Sequence, residues 1–150
     1  CKLVNSARTT TVGKSSSQAQ RFLGFTRSAR YAVLAIVKPY VRLFTMSHAI
    51  QRHIYDAVMS VVREYFGHGI GRNLHVEPNI PNYGIEGRGP LLKSGMALAI
   101  EPMAILGGRQ LRTLEDNWTV VTVDGSLCAH FEHTVAVTQN GLEIFTKLSA

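Results

Sequence analysis

Residues 96–146, MALAIEPMAILGGRQLRTLEDNWTVVTVDGSLCAHFEHTVAVTQNGLEIFT, decide the fold class. Short apolar stretches rich in Val, Ile, Leu and Thr alternate with turn residues, a pattern that predicts strands over 96–103, 110–114, 118–123, 130–138 and 142–146. Gly107-Gly108, Asp124-Gly125 and Asn140-Gly141 punctuate them. The last two pairs are hairpin signals, because a tight hairpin turn needs residues that tolerate positive φ.

Working upstream, 67–90 is irregular, with Gly67-His68-Gly69-Ile70-Gly71, Pro78, Pro81-Asn82, Gly84 and Gly87-Arg88-Gly89-Pro90. A short strand is expected at 64–66. Before that, Ile50, Ile54, Ala57, Val58 and Val61 form one helical stripe, so a helix should begin near Thr45 or Ser47 and end around Arg63. Ser15-Ser16-Ser17-Gln18 offers a capping box for an earlier helix. Phe22, Leu23, Ala29, Val33, Ile36 and Val37 give that helix its apolar spacing, and Pro39 stops it. Residues 7–12 read as extended. The order is strand, two helices, then an antiparallel run, which is α+β in a single domain over 1–150.

The chain has 150 residues, 45% apolar, enough to bury a core. Its longest apolar run, 31–37, is far short of the roughly 20 residues a membrane span needs. No membrane association is expected. Two cysteines, Cys1 and Cys128, are too few for a disulfide framework, so a reducing cytoplasm is the expected location. The net charge of +6 is unevenly spread. Residues 1–55 hold nine Lys/Arg and no acid, whereas 56–150 hold seven against ten acids. Such a basic third suits a ribosomal RNA surface, a transit peptide or a solvated helix face.

Three residues suggest metal chemistry. His68 sits between glycines that let other chain approach closely. The glycine spacing there is not a dinucleotide fingerprint, and no lysine-bearing helix follows, so a phosphate loop is excluded. Glu101 and Glu132 stand inside apolar strands, where a charge must be paired or metal-bound. One His and two Glu suit Zn, Mn, Fe or Co. Spacing alone leaves salt bridges to Arg63, Arg72, Arg109 or Arg112 equally open. His75 reads as a ligand, an acid/base or a surface group, and Trp118, the sole tryptophan, as core before pocket wall.

Longer runs carry a resemblance. Gly67-His68-Gly69-Ile70-Gly71-Arg72-Asn73-Leu74-His75-Val76-Glu77-Pro78, followed by Ile80-Pro81-Asn82-Tyr83-Gly84, resembles the signature loop of type I methionine aminopeptidases. Gly95-Met96-Ala97-Leu98-Ala99-Ile100-Glu101-Pro102-Met103, Glu115-Asp116-Asn117-Trp118-Thr119-Val120-Val121-Thr122 and Phe131-Glu132-His133-Thr134-Val135-Ala136-Val137-Thr138 resemble three further blocks of that family, in the same order. The match is close over 47–148 and divergent over 1–46.

The resemblance implies a pita-bread fold, an antiparallel sheet backed by helices, incomplete here on its N-terminal side. It implies a metallo-aminopeptidase that removes methionine from nascent chains. His68, Glu101 and Glu132 match metal ligands, and Glu101 also matches the proton-moving carboxylate. His75 matches a substrate-binding histidine that steadies the transition state, and Trp118 a pocket residue. Asn5, in Asn5-Ser6-Ala7-Arg8-Thr9, stands at a degenerate ligand position where the family has aspartate, and a further aspartate falls upstream of Cys1. One divalent ion at most (Co, Mn, Fe or Zn) is therefore expected. Tyr40 stands where the family has glycine after Val37-Lys38-Pro39.

Two functions follow for a truncated or degenerate member. One is residual aminopeptidase activity on nascent polypeptide N-termini; the other is a non-catalytic peptide- or ribosome-binding role. A missing strand would leave a sheet edge open to self-association and residues 1–14 poorly ordered.

Overall fold

The structure, a computed structural model, describes residues 3–147. Residues 3–12 precede a bend at 13–14, and two helices follow, α1 (Ser17–Leu34) and α2 (Leu43–Asp56). The strands are β1 (Ser60–Val61), β2 (Gly67–Gly69), β3 (Val76–Ile80), β4 (Ala97–Ile100), β5 (Met103–Ile105), β6 (Leu111–Thr113), β7 (Val120–Thr122), β8 (Cys128–His130), β9 (His133–Thr138) and β10 (Gly141–Ile144). They form a five-stranded sheet ordered β10-β9-β4-β2-β3, a three-stranded sheet β1-β5-β8, and the β6-β7 ribbon. Every pairing is antiparallel.

Ser16 caps α1 by accepting from the Ala19 N–H (3.1 Å), one residue later than the expected Ser15-x-x-Gln18 box, so no glutamine stands at the reciprocal position. The helix ends at Leu34, before Pro39, and its last turn tightens into short-range bonds, Ile36 N–H to Val33 O and Val37 N–H to Leu34 O. It buries Phe22, Ala29 and Val33 against α2, which buries Leu43, Met46, Ile50 and Ile54. These residues join Leu98, Ile100, Val135 and Val137 from the large sheet in one core.

The second helix departs from its expected bounds at both ends. It starts at Leu43 because main-chain carbonyls far along the chain cap it. Leu43 N–H donates to Pro90 O and Phe44 N–H to Arg88 O, while Arg42 supplies no side-chain cap. It stops at Asp56, not Arg63, because Val58 takes φ 57° and turns the chain into β1. Val58 therefore leaves the expected buried stripe and is 89% exposed.

The expected strand at 64–66 is absent, and pairing begins instead at Gly67. The expected strand 96–103 breaks at Glu101-Pro102, and 130–138 breaks at Phe131-Glu132, each time where the chain passes from one sheet to the other. Asn140-Gly141 makes the predicted hairpin, with Thr138 opposite Gly141. Asp124-Gly125 does not, because β7 pairs with β6 and β8 with β5. Its aspartate instead ties the turn, accepting from Gly108 N–H at 2.8 Å and from Ser126 N–H at 3.0 Å and Oγ at 2.6 Å.

The described part of the N-terminal segment is tied down rather than loose. Leu3 N–H donates to Gly71 O, Thr9 N–H to His130 O, and Glu132 N–H to Ala7 O. Asn5 N–H donates to Thr134 Oγ1 and Asn5 O accepts from the same hydroxyl. Within the expected strand 7–12, only Arg8 makes a β-bridge, to Phe131. Residues 1 and 2 lie outside the described residues. Among the described residues no helix is long and apolar enough to cross a membrane.

Candidate metal centre

Glycine geometry places the first ligand. A Cβ on Gly67 would collide with Ala99 O and sit 3.3 Å from Glu101 Cγ, and one on Gly69 would collide with Glu77 O. Bare glycine lets β2 lie close between β3 and β4, with Glu101 folded over it. His68 then stands in register with Ala99 on β4 and Asn79 on β3. Glu101 leaves at the end of β4, and Glu132 at the break between β8 and β9, next to His133 paired with Ile100.

These three side chains converge. His68, Glu101 and Glu132 each offer a ligand atom, and those atoms all lie within 4.8 Å of one another. The spacing is compatible with one ion bound at roughly 2.0–2.2 Å by each. His68 and Glu132 are buried, at 5% and 2% exposure.

The chemistry of the donors fits a cation. His68 Nδ1 lies 2.8 Å from Gly69 O, and since a carbonyl only accepts, Nδ1 carries the proton. Nε2, turned away from that carbonyl, faces Glu101 Oε1 at 3.5 Å. A ring with one nitrogen fixed on a main-chain carbonyl and the other set against a carboxylate is the arrangement usual for a metal-ligating histidine. Glu132 Oε1 is buried with no hydrogen-bond partner among the described residues. Burial, with the Glu101 charge adding and His130 opposing, pushes the Glu132 carboxyl up to about 7. The salt-bridge alternative is not realised: among the described residues both carboxylates lack an arginine at ion-pair distance, and Glu101 meets only histidines.

The second of those histidines escaped the sequence reading. His130 Nε2 lies 3.2 Å from Glu101 Oε2, within ion-pair reach though not in hydrogen-bonding geometry. Its position two residues before Glu132, within the strand expected over 130–138, was the available signal. His75 approaches from the β2–β3 connection, its ring 4.3 Å from that of His68 and edge-on to it. Asn5 is held beside Thr134, two residues from Glu132, through its main chain.

Trp118 is not core. It is 86% exposed on the β6–β7 ribbon, after Asn117 at φ 56°. It lines an apolar cavity of about 1110 Å³ with Tyr65, Met103, Val121 and Cys128. None of the three converging residues lines that cavity.

The chain is 51% identical over 144 residues to methionine aminopeptidase 1 of Bacillus subtilis, covering 96% of this chain and 58% of that relative. It is 44% identical over 135 residues to the Escherichia coli K12 methionine aminopeptidase, covering 90% of this chain and 51% of the relative. The crystal structure of methionine aminopeptidase from Thermotoga maritima superposes with a TM-score of 0.96 at 45% identity, over 98% of this chain and 59% of that one. The chain thus spans little more than half the length of these relatives, and its fold is their pita-bread fold. The model of metallopeptidase family M24 matches residues 3–139, a span that takes in His68, Glu101 and Glu132, and this chain belongs to that family.

Proposed function

We propose that this chain carries the ligand-bearing sheet of a metal-dependent aminopeptidase that removes the N-terminal methionine from nascent polypeptides in the cytoplasm. The observation that supports this most directly is the buried convergence of His68, Glu101 and Glu132, with Glu132 Oε1 lacking a hydrogen-bond partner among the described residues. Those three residues would hold one divalent ion (Co, Mn, Fe or Zn). When bound, the ion would supply Lewis acidity and lower the pKa of water toward neutrality.

The remaining steps fall to the chain's own side chains. Glu101 carries a proton from water to the leaving amine, as a carboxylate placed at the reacting centre. His130 Nε2, 3.2 Å from Oε2 of Glu101, is near enough to pair with that carboxylate when the ring is protonated. His75, exposed beside His68, donates a hydrogen bond to the substrate carbonyl as negative charge develops on its oxygen. Trp118 and the apolar cavity beside it are suited to an unbranched thioether side chain.

Asn5 supports a limit on this activity. A neutral amide is a poorer ligand for a hard cation than the carboxylate for which it stands in. We expect calorimetric titration with Mn, Co or Zn to give at most one ion per chain, and a Met-Ala peptide to be cleaved slowly. Two ions per chain, with brisk methionine release abolished by His75→Ala, would show that Asn5 imposes no limit. Peptide binding without any metal binding would favour a non-catalytic peptide- or ribosome-binding role.

A further inference from the structure

The metal ligand Glu132 stands at a break in the chain. Residues 128–130 pair with β5 and 133–136 with β4, so the backbone changes sheets across Phe131 and Glu132. A backbone at such a crossing loses its ladder partners and must find others. Its N–H is satisfied from the N-terminal segment, donating to Ala7 O at 2.9 Å. Its carbonyl accepts from Arg30 Nη1, on α1, at 3.3 Å.

Arg30 is an unusual residue for that place. It lies on the buried face of α1 between Ala29 and Val33, at 6% exposure. Among the described residues no carboxylate lies within ion-pair distance of it. A buried guanidinium without a counter-ion is costly. The cost is offset in part by the Tyr31 hydroxyl at 3.2 Å and by two aromatic faces, Tyr31 at 4.9 Å and Phe131 at 5.7 Å, while Nε has no hydrogen-bond partner among the described residues. Phe131 is the other residue of the break. Arg30 therefore touches both residues at which the chain changes sheets: the ring of one and the carbonyl of the next.

We propose that Arg30 is a positioning residue for the metal centre: by holding the Phe131-Glu132 crossing from behind the sheet, it orients the Glu132 carboxylate toward His68 and Glu101. This rests on the metal-site reading above. Arg30 touches no ligand atom. It acts on the main chain of a ligand, and outer partners of this kind typically contribute about 10–100-fold to metal affinity.

The test uses the full chain with Arg30→Met, which keeps the apolar stem and removes the donors, and with Arg30→Lys, which keeps one donor and the charge. Two readouts are taken. Hydrogen exchange of the peptide spanning 128–134 in the metal-free chain should quicken about tenfold in Arg30→Met, with 111–122, the ribbon that pairs only with itself, unchanged. Mn affinity by calorimetry should fall about tenfold or more in Arg30→Met at unchanged stoichiometry, and Arg30→Lys should recover part of both losses. A merely structural arginine would lower thermal stability and exchange protection throughout without a selective loss at 128–134. Unchanged exchange at 128–134 in a folded Arg30→Met chain would overturn the proposal. If Arg30→Met does not fold, an Arg30→Lys chain with parental exchange and parental Mn affinity does the same. Parental chain that binds no Mn would sink the metal-site reading, while the exchange comparison still decides whether Arg30 holds the crossing.

Discussion

The strands that carry or flank His68, Glu101 and Glu132 and the strap formed by residues 3–9 meet at the same site but are held in different ways. The strand residues sit in the core: Leu98, Ala99, Ile100 and Val135 are fully buried, and His68 and Glu132 nearly so. The strap is pinned almost wholly by hydrogen bonds to Gly71, His130, Glu132 and Thr134, while Leu3 and Val4 remain 44% and 55% exposed. A ligand in the sheet is tied to packing that the whole domain depends on. A ligand position on the strap is tied to main-chain bonds that any side chain permits. The difference explains how Asn5 can stand where the resemblance places an aspartate without disturbing the fold.

The sharpest way to break this comparison is to remove a sheet ligand. Glu132→Gln keeps shape and loses the charge. It should lower Mn affinity by more than about 100-fold, beyond the range usual for outer partners. Calorimetric titration would read it, and an affinity within a few-fold of the parent would mean that Glu132 is not a ligand.

The strap offers the converse change. Asn5→Asp should raise Mn affinity by about tenfold, or 1.4 kcal/mol. Unfolding stability should move by no more than about 0.5 kcal/mol, as for an ordinary surface substitution. A large stability change would show that the strap is as deeply coupled to the fold as the sheet is.

A third departure tests whether other exposed segments carry their changes as freely. Tyr40, 83% exposed after Pro39, adopts φ 69°, with its N–H donating to Leu92 O. The left-handed conformation costs a side-chain residue roughly 1–2 kcal/mol. Glycine would relieve that but lose about 0.5–1 kcal/mol to its freer unfolded state. Tyr40→Gly should therefore stabilise by a net ~1 kcal/mol, a rise of about 2–4 °C in Tm for a chain of this size. A fall in Tm would show that the tyrosine ring makes a compensating contact.

The smallest expected effect lies in the turn at Asp124. Hydrogen bonds from the Ser126 hydroxyl first, then from the N–H groups of Ser126 and Gly108, hold its carboxyl at about 2. The folded value is below the ordinary 3.8. The ionised form therefore stabilises the fold above that value, and the contribution is lost as pH falls through about 2. Asp124→Asn should flatten melting temperature against pH in this acid range and leave the neutral-pH metal site untouched. An unchanged profile would show that the turn holds without its charge.

Much of the molecule was legible in the sequence because the signals were local. A serine cap within one residue of its place, the Asn140-Gly141 hairpin and the strand expected over 110–114 each follow from residues within a few positions of one another. The three converging residues were legible as chemistry, since a glutamate within an apolar strand calls for a partner wherever the strand lies.

What the sequence by itself determined was the α+β class, the approximate elements and the identity of the groups that call for a cation. The tertiary structure alone decided where α2 begins, because its caps are carbonyls at Arg88 and Pro90. It alone decided that Trp118 faces solvent, that His130 meets Glu101 and that Arg30 reaches Glu132. Arg30 and Glu132 are separated by 102 positions. No periodicity or turn rule spans such a distance. Contacts of that kind are fixed by how helices pack on sheets and by where a chain changes sheets, and these depend on the whole core.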